Sequence, residues 1–133
     1  MKTVNDVYEY LDTCKIFYVT TVDGDKPKCR PFSFKMMHED KIWFGVGTFK
    51  ECYKQLQANP NIEICASDGK GFMRLYGTAV FDERPELFER ACEEAAFLTK
   101  IYNDETGNVL GMFHIEGTAE FRSLFKVEDS VSL

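Results

Sequence analysis

The spacing of apolar residues changes along the chain, and each change predicts a new element. At the start, apolar residues recur every three to four positions, which predicts an amphipathic helix over 3–13 with Thr3 as its cap. The following segment, 16–22, is rich in β-branched and aromatic residues and stops at Asp23-Gly24-Asp25. We therefore expect a strand that ends in a hairpin turn.

The rest of the chain predicts five more strands and two more helices. The strands are expected over 28–37, 41–46, 62–66, 72–81 and 109–121. One helix covers 48–58 and ends at Asn59-Pro60, because proline disfavours helix for the residue before it. The other opens at Pro85 and carries an apolar stripe to Leu98. Together these elements predict an α+β protein, a six-stranded antiparallel β-barrel with flanking helices, closed or nearly closed.

Composition and charge narrow the range of functions. The chain has 133 residues, enough for one domain over 1–133 and too few for two. Its net charge of −6 argues against a nucleic-acid partner, since phosphate backbones are bound by clustered cations. No apolar run is long enough to cross a bilayer, and the start lacks the apolar core of a signal peptide. We expect a cytoplasmic protein without a membrane partner.

Several kinds of site find no support in the sequence. The five cysteines include no Cys-x-x-Cys pair, so we expect reduced thiols. Neither His38 nor His114 has a Cys or carboxylate at ligand spacing, and no metal site is expected. Gly45-x-Gly47 continues to Lys50 rather than to a third glycine, so it is not a dinucleotide fingerprint. We nominate no catalytic acid or base.

The predicted strand over 28–37 contains the run Arg30-Pro31-Phe32-Ser33-Phe34-Lys35. Because side chains alternate between the faces of a strand, Arg30 shares the core-facing side with Phe32, and its place near the strand start lets it reach the barrel rim. Pro31 cannot donate to a strand ladder. It marks either an ordinary edge strand or a break whose backbone groups face a ligand.

Two further cations lie on later elements. Lys50 follows Thr48 at the predicted start of a helix, where free N–H groups and the helix dipole attract anions, although a solvated surface lysine is the alternative. Arg74 points outward from its strand. It either grips an anion with its planar fork or pairs with an acid on the surface. Gly77 would let another backbone or a ligand approach closely.

Taken in order, these segments, with Ile42-Trp43-Phe44-Gly45 and the helix ended by Asn59-Pro60, resemble the pyridoxamine-phosphate-oxidase-like flavoproteins. These proteins have the split-barrel fold, and the resemblance is strongest to their small nitroimidazole-reductase-like members. It implies FMN as the cofactor, held at the interface of a homodimer by residues of both subunits. The cofactor-binding residues implied are Arg30, Pro31, Phe32, Ser33, Lys35, Gly45, Thr48, Lys50 and Arg74. One departure is that the lysine of the biosynthetic oxidases' Ser-Arg-Lys run would fall at Cys52.

The same resemblance implies an FMN-dependent oxidoreductase. Electrons would pass from a reduced nicotinamide, NADH or NADPH, to a small flat acceptor such as a nitroaromatic or a quinone. One alternative is a flavin-binding or sensory protein with no substrate of its own. Another is a split barrel that binds haem or deazaflavin in place of FMN.

Overall fold

The structure is a computed structural model that describes every residue from Met1 to Leu133. It contains four helices and eight strands. The helices are α1 (Val4–Cys14), α2 (Glu51–Ala58), α3 (Pro85–Glu94) and α4 (Leu98–Ile101). The strands are β1 (Phe17–Asp23), β2 (Lys26–Phe32), β3 (Met36–His38), β4 (Lys41–Gly47), β5 (Asn61–Ser67), β6 (Phe72–Asp82), β7 (Leu110–Arg122) and β8 (Val127–Ser132).

One antiparallel sheet holds all eight strands, in the order β2-β1-β5-β6-β7-β4-β3, with β8 paired to β7. The long strand β7 pairs along one edge with β6. Along its other edge, the first part pairs with β4 and the last part with β8. The predicted α+β class and antiparallel split barrel are confirmed, whereas the predicted number of six strands is wrong.

The two additional strands have separate physical causes. The segment predicted as one strand over 28–37 is interrupted, because β2 ends at Phe32 and β3 begins only at Met36. The charged segment after β7 forms β8, in which Val131 is buried in the core opposite Ala119. Serine flanks this one core position on both sides and Glu128-Asp129 precedes it, so the sequence showed no apolar alternation there.

The barrel interior and its outer side carry two separate apolar clusters. The larger one has 20 buried residues and includes Val7 and Leu11 of α1, which have no exposed surface. The smaller one has eight buried residues and centres on Trp43, whose side chain packs with the apolar stripe of α3 and α4. The helices α3 and α4 therefore cover the opposite face of β4 from the barrel core.

The third predicted helix is shorter than expected. Ala95 adopts φ −142° and ψ 89°, an extended conformation that ends α3 at Glu94. A separate short helix, α4, then carries Leu98 into the same apolar cluster. The predicted apolar stripe is present, but the chain leaves the helical conformation within it. Its two parts therefore belong to separate helices, α3 and α4.

Gly77 and Gly117 face each other across β6 and β7. A Cβ atom on either residue would overlap the backbone of the opposite strand, and Gly77 has φ +151°, where L side chains are strained. The close approach that the sequence predicted at Gly77 is therefore made by the backbone of β7.

The opening of the barrel lies between the two edge strands, β2 and β3, which are joined by only three residues, 33–35. None of the backbone hydrogen bonds made outside the regular elements involves Ser33, Phe34 or Lys35. This segment therefore offers unpaired backbone donors and acceptors.

No helix in the structure is long and apolar enough to cross a membrane.

Candidate functional site

A cleft of about 520 Å³ lies where the 33–35 segment, β4, the start of α2 and α4 come together. Its volume is in the range of small-molecule and cofactor sites. Six of the nine residues implied by the resemblance line it, namely Arg30, Pro31, Phe32, Ser33, Gly45 and Lys50. Folding thus brings together residues from three separate parts of the sequence.

Arg30 is held at the cleft by neutral oxygen atoms. Its Nη1 donates to the Thr21 hydroxyl at 2.7 Å, and its Nη2 donates to Gln55 Oε1 at 2.9 Å. Among the five arginines of the chain, Arg30 alone has no carboxylate at salt-bridge distance; the others are Arg74, Arg84, Arg90 and Arg122. A half-buried guanidinium without a counter-ion favours the binding of an anion.

Lys50 is the residue that precedes α2, with extended backbone angles of φ −83° and ψ 153°. The N–H groups of Tyr53 and Lys54 donate to the carbonyl of Lys50. In the first turn, the N–H groups of Glu51 and Cys52 remain as donors at the positive end of the helix dipole. Lys50 has no ion-pair partner, so this corner of the cleft combines two unpaired cations with a helix start.

The rest of the cleft is suited to a flat apolar group. Pro31, Phe32 and the unpaired backbone of Ser33 form one side. Gly45 lies on the other side, where an added Cβ would come 3.1 Å from the Leu110 side chain. The missing side chain keeps this wall open. A ring system with polar edges would meet apolar surface together with free backbone donors and acceptors.

Three residues implied by the resemblance lie outside this cleft. The Nζ of Lys35 is 2.9 Å from Asp12 of α1. Thr48 lines a second cavity instead. Arg74 lies on the outer face of the sheet, with its Nε 3.5 Å from a carboxylate oxygen of Glu63. Lys35 and Arg74 are thus paired with acids within this chain, in contrast to Arg30 and Lys50.

The sequence interpretation missed the wall of the cleft that α4 supplies. Phe97, Leu98, Ile101 and Tyr102 all line the cleft, and Phe97 is 55% exposed although it is a large apolar residue. Burial raises the pKa of the Tyr102 hydroxyl. The signal available in the sequence was the run of aromatic and aliphatic residues at 97–102. A helix that packs through one apolar stripe needs only about half of them, so the others are free to line a site.

Cys52, at the position where the biosynthetic oxidases would have a lysine, also lines the cleft. Burial raises the pKa of its thiol, and the nearby positive charges of Arg30 and Lys50 only partly offset that effect. Cys52 is therefore a neutral, buried thiol at neutral pH, and the positive charge at this end of the cleft comes from Arg30 and Lys50.

One group of metal-ligand residue types lies away from the cleft. His38, Glu39 and Glu86 place ligand atoms within 4.8 Å of one another. Arg84 already donates to both oxygens of Glu39, at 2.6 and 3.1 Å, and to Glu86 at 2.9 Å. A guanidinium group thus occupies the position that a metal cation would take.

The split-barrel fold and the position of the cleft can be compared with those of known proteins. The sequence profile of the pyridoxamine 5'-phosphate oxidase family matches residues 5–119. The chain belongs to this family. No curated protein matches the chain.

Solved structures of related proteins extend the comparison. A NimC/NimA family protein from Clostridium acetobutylicum is 30% identical, with a TM-score of 0.86 over 98% of this chain and 93% of that one. A protein related to general stress protein 26, of the pyridoxine-phosphate oxidase family and from the same organism, is 17% identical, with a TM-score of 0.72 over 98% and 94% of the two chains. A haem-binding protein from Mycobacterium smegmatis shares the fold at 15% identity, with a TM-score of 0.70 over 97% of this chain and 57% of that one.

Proposed function

We propose that this protein is an FMN-binding oxidoreductase that passes electrons from NADH or NADPH to a small flat acceptor. The observation that carries the proposal is the cleft itself. It joins two cations without carboxylate partners, Arg30 and Lys50, to an apolar region with unpaired backbone groups. FMN has the matching parts, a phosphate and a large ring with polar edges.

The phosphate of FMN would bind at Arg30, Lys50 and the first N–H groups of α2. The protein as a whole repels anions because its net charge is −6, so local cations and aligned N–H groups have to offset this field. Charge-assisted hydrogen bonds of this type contribute about 1.5–3 kcal/mol each. Two such contacts are enough to distinguish FMN from riboflavin.

The ring of FMN would lie between the Pro31–Ser33 segment and Gly45. The backbone of Ser33 can donate to and accept from the polar edge of the ring, while Phe32 and Leu110 exclude water from its apolar part. The flavin supplies hydride and electron transfer when bound. The chain's own contribution is to bind, orient and shield it.

A second copy of the chain would complete the site. Cross-strand neighbours form a row on the outer face of the sheet, from Pro31 through Tyr18 and Cys65 to Arg74. Tyr18 is 51% exposed at the centre of this row. A two-fold dimer on this face buries Tyr18 and brings Arg74 of one subunit towards the cleft of the other. Lys35 and Thr48 would support the cleft from behind.

The acceptor would bind at the mouth of the cleft. Phe97 and Ile101 are exposed there by 55% and 39%, on the side opposite the proposed ring position. A flat aromatic acceptor can lie between these side chains and the ring. A nitroaromatic compound or a quinone has the right shape, and neither needs a protein acid to accept electrons.

Haem is the second candidate, because the haem-binding protein from M. smegmatis has the same fold. Iron in haem needs an axial ligand, commonly a histidine or a thiolate. Neither His38 nor His114 lines the cleft, and Cys52 has a raised thiol pKa. The cleft therefore suits a flavin or deazaflavin better than haem.

A flavin carrier without a substrate would differ from an enzyme only in the kinetics of its reduction and reoxidation.

The test begins with the purified protein and its absorption spectrum after addition of FMN, riboflavin, a deazaflavin or haem in separate titrations. We expect saturable binding of FMN with about tenfold or greater preference over riboflavin. Stopped-flow mixing of the FMN-loaded protein with NADH or NADPH, followed by a quinone, separates an enzyme from a carrier. Preference for haem, or equal affinity for riboflavin and FMN, would contradict the proposal.

A further inference from the structure

A second cavity, of about 480 Å³, lies on the far side of Tyr102 and Leu110 from the cleft. These are the only two residues that line both spaces. The cavity is formed by the end of β6, the start of α3, the loop 103–109 and the first residues of β7. It is large enough for a ligand of one or two fused rings.

The inner part of this cavity is aromatic. The rings of Tyr53 and Phe81 meet edge to face with centroids 5.1 Å apart. Both rings pack closely on Gly111, where a Cβ atom would come 3.0 Å from the Tyr53 ring and 3.2 Å from that of Phe81. Phe88 of α3 and Met112 of β7 complete the apolar lining. An apolar ring can therefore be enclosed on several sides.

The outer part of the cavity is acidic. Asp82, Glu83 and Asp104 all line it. Arg84 is the one cation in the lining, and each of its three side-chain nitrogens already donates to a carboxylate. Glu83 and Asp104 have no ion-pair partner. The groups without partners near this rim are hydrogen-bond acceptors. A ligand that binds there therefore has to carry a positive charge or hydrogen-bond donors.

The loop that forms the rim supplies another acceptor. The side-chain nitrogen of Asn108 donates to the carbonyl of Ile101 at 3.3 Å, while its oxygen has no donor. The loop is held in place by Thr106, whose hydroxyl donates to the carbonyl of Ile101 at 2.7 Å and whose N–H donates to Asn103 Oδ1 at 2.9 Å. Asp104 and Asn108 thus sit on an ordered loop, whereas Glu83 directly follows β6.

From this arrangement we propose that the second cavity binds an aromatic amine as its cation. The ring packs against the Tyr53–Phe81 pair and Phe88, and the ammonium group faces Glu83 and Asp104. An aromatic carboxylate of the same shape is excluded, because it would meet two unpaired carboxylates and find no free cation. This site is separate from the proposed FMN cleft, and its existence does not depend on the proposed function.

The test compares three probes of the same ring size, 1-naphthylmethylamine, 1-naphthalenemethanol and 1-naphthoate, by calorimetric titration of the full chain at pH 7. We expect the amine to bind about tenfold more tightly than the alcohol and the carboxylate to show no saturable binding. The preference for the amine should shrink in 1 M NaCl, since exposed charges are screened.

Two double variants with the same change in net charge locate the site. Glu83→Gln with Asp104→Asn should weaken amine binding about threefold to tenfold and leave the alcohol unchanged. Glu9→Gln with Glu128→Gln, both remote from the cavity, should change neither. A Phe88→Ala variant, whose folding is checked by circular dichroism, should weaken the amine and the alcohol together.

Competition with FMN separates this inference from the proposed function. We expect amine affinity to be the same with and without saturating FMN, and the same in Lys50→Ala as in the natural chain. Displacement of the amine by FMN, equal binding of amine and carboxylate, or absence of saturable amine binding would each overturn the proposal, whatever the outcome for FMN.

Discussion

The Nη2 of Arg30 lies 2.9 Å from Oε1 of Gln55, which links the edge strand β2 to helix α2 through a neutral acceptor. The same guanidinium also donates to Thr21, which is almost fully buried. Neither partner carries a charge, so Arg30 lines the cleft without being neutralised. A carboxylate at either position would have removed the anion site.

Replacing Gln55 with Glu tests this relationship with almost no change in side-chain shape. The new carboxylate would pair with Arg30, and we expect the FMN affinity to fall about tenfold, a loss of roughly 1.4 kcal/mol. Riboflavin affinity should stay the same. Gln57→Glu adds the same charge at an exposed position of the same helix and should have little effect. Equal losses in both variants would point to overall charge rather than to Arg30.

Lys50 and Lys54 form a second matched pair. Lys50 lies at the start of α2 without a partner, while the Nζ of Lys54 is 3.4 Å from Glu51. We expect Lys50→Ala to weaken FMN binding about 10- to 100-fold, because it removes a charge-assisted contact to the phosphate. Lys54→Ala should change FMN affinity less than twofold. If Lys50→Ala also leaves FMN affinity within twofold, then Lys50 is a solvated surface lysine.

Gly45 tests the part of the cleft assigned to the ring. A valine side chain at this position would project towards Leu110 and fill the wall of the cleft. We expect Gly45→Val to reduce the binding of FMN and of riboflavin by a similar factor, about tenfold or more. This result would differ from that of the phosphate-site variants, which affect only FMN. Unchanged flavin binding in a folded Gly45→Val protein would place the ring elsewhere.

Local patterns were enough to predict most of the fold. The helix α1 and the strands β1, β4, β5, β6 and β7 lie close to their predicted bounds, because each has an apolar period that matches its element. The break at 33–35 could not be bounded in this way, since the alternation of Phe32, Phe34 and Met36 continues across it. Pro31 indicated a break but not where it would fall.

The candidate site shows the same division. The family resemblance implied the candidate residues between Arg30 and Lys50, and local chemistry singled out Arg30, Pro31 and Lys50 among them. Phe97 and Tyr102 were not, because their place depends on how α4 packs against Trp43 from about fifty residues away in sequence. The ion pair between Arg84 and Glu39 was not indicated by the sequence for the same reason, because the two residues are 45 positions apart.

The ion pairs of Arg84 predict a pH dependence of stability. Hydrogen bonds from the Arg84 side chain hold the pKa of Glu39 below its usual range, and those from the Arg84 backbone N–H and, to a smaller extent, its side chain do the same for Asp82. A carboxyl whose pKa is lower in the folded than in the unfolded state stabilises the fold at neutral pH, and this contribution is lost as the pH falls through the lowered value. We expect the free energy of unfolding to decrease from about pH 5 downward.

Arg84→Met should lower stability at pH 6 and flatten its decrease towards pH 3, as measured by urea unfolding at each pH. Arg90→Met removes an arginine whose partners, Glu93 and Glu94, lie on its own helix. This control should keep the pH dependence of the natural chain. Identical slopes for Arg84→Met and the natural chain would show that the pairs with Glu39 and Asp82 contribute nothing measurable.

The proposed dimer makes the last prediction. Tyr18 is exposed at the centre of the outer sheet face, and burial of its ring against a second copy would stabilise the interface. We expect the natural chain to sediment as a dimer and Tyr18→Glu to sediment as a monomer, since the interface would have to bury an unpaired charge. Gln57→Glu is the charge-matched control and should remain dimeric. Since the proposed site takes residues from both subunits, the monomeric variant should also lose affinity for both FMN and riboflavin. Arg74→Ala should remain dimeric and lose affinity for FMN alone. A natural chain that is monomeric while it carries FMN would rule out the shared site and leave Arg74 as a surface partner of Glu63.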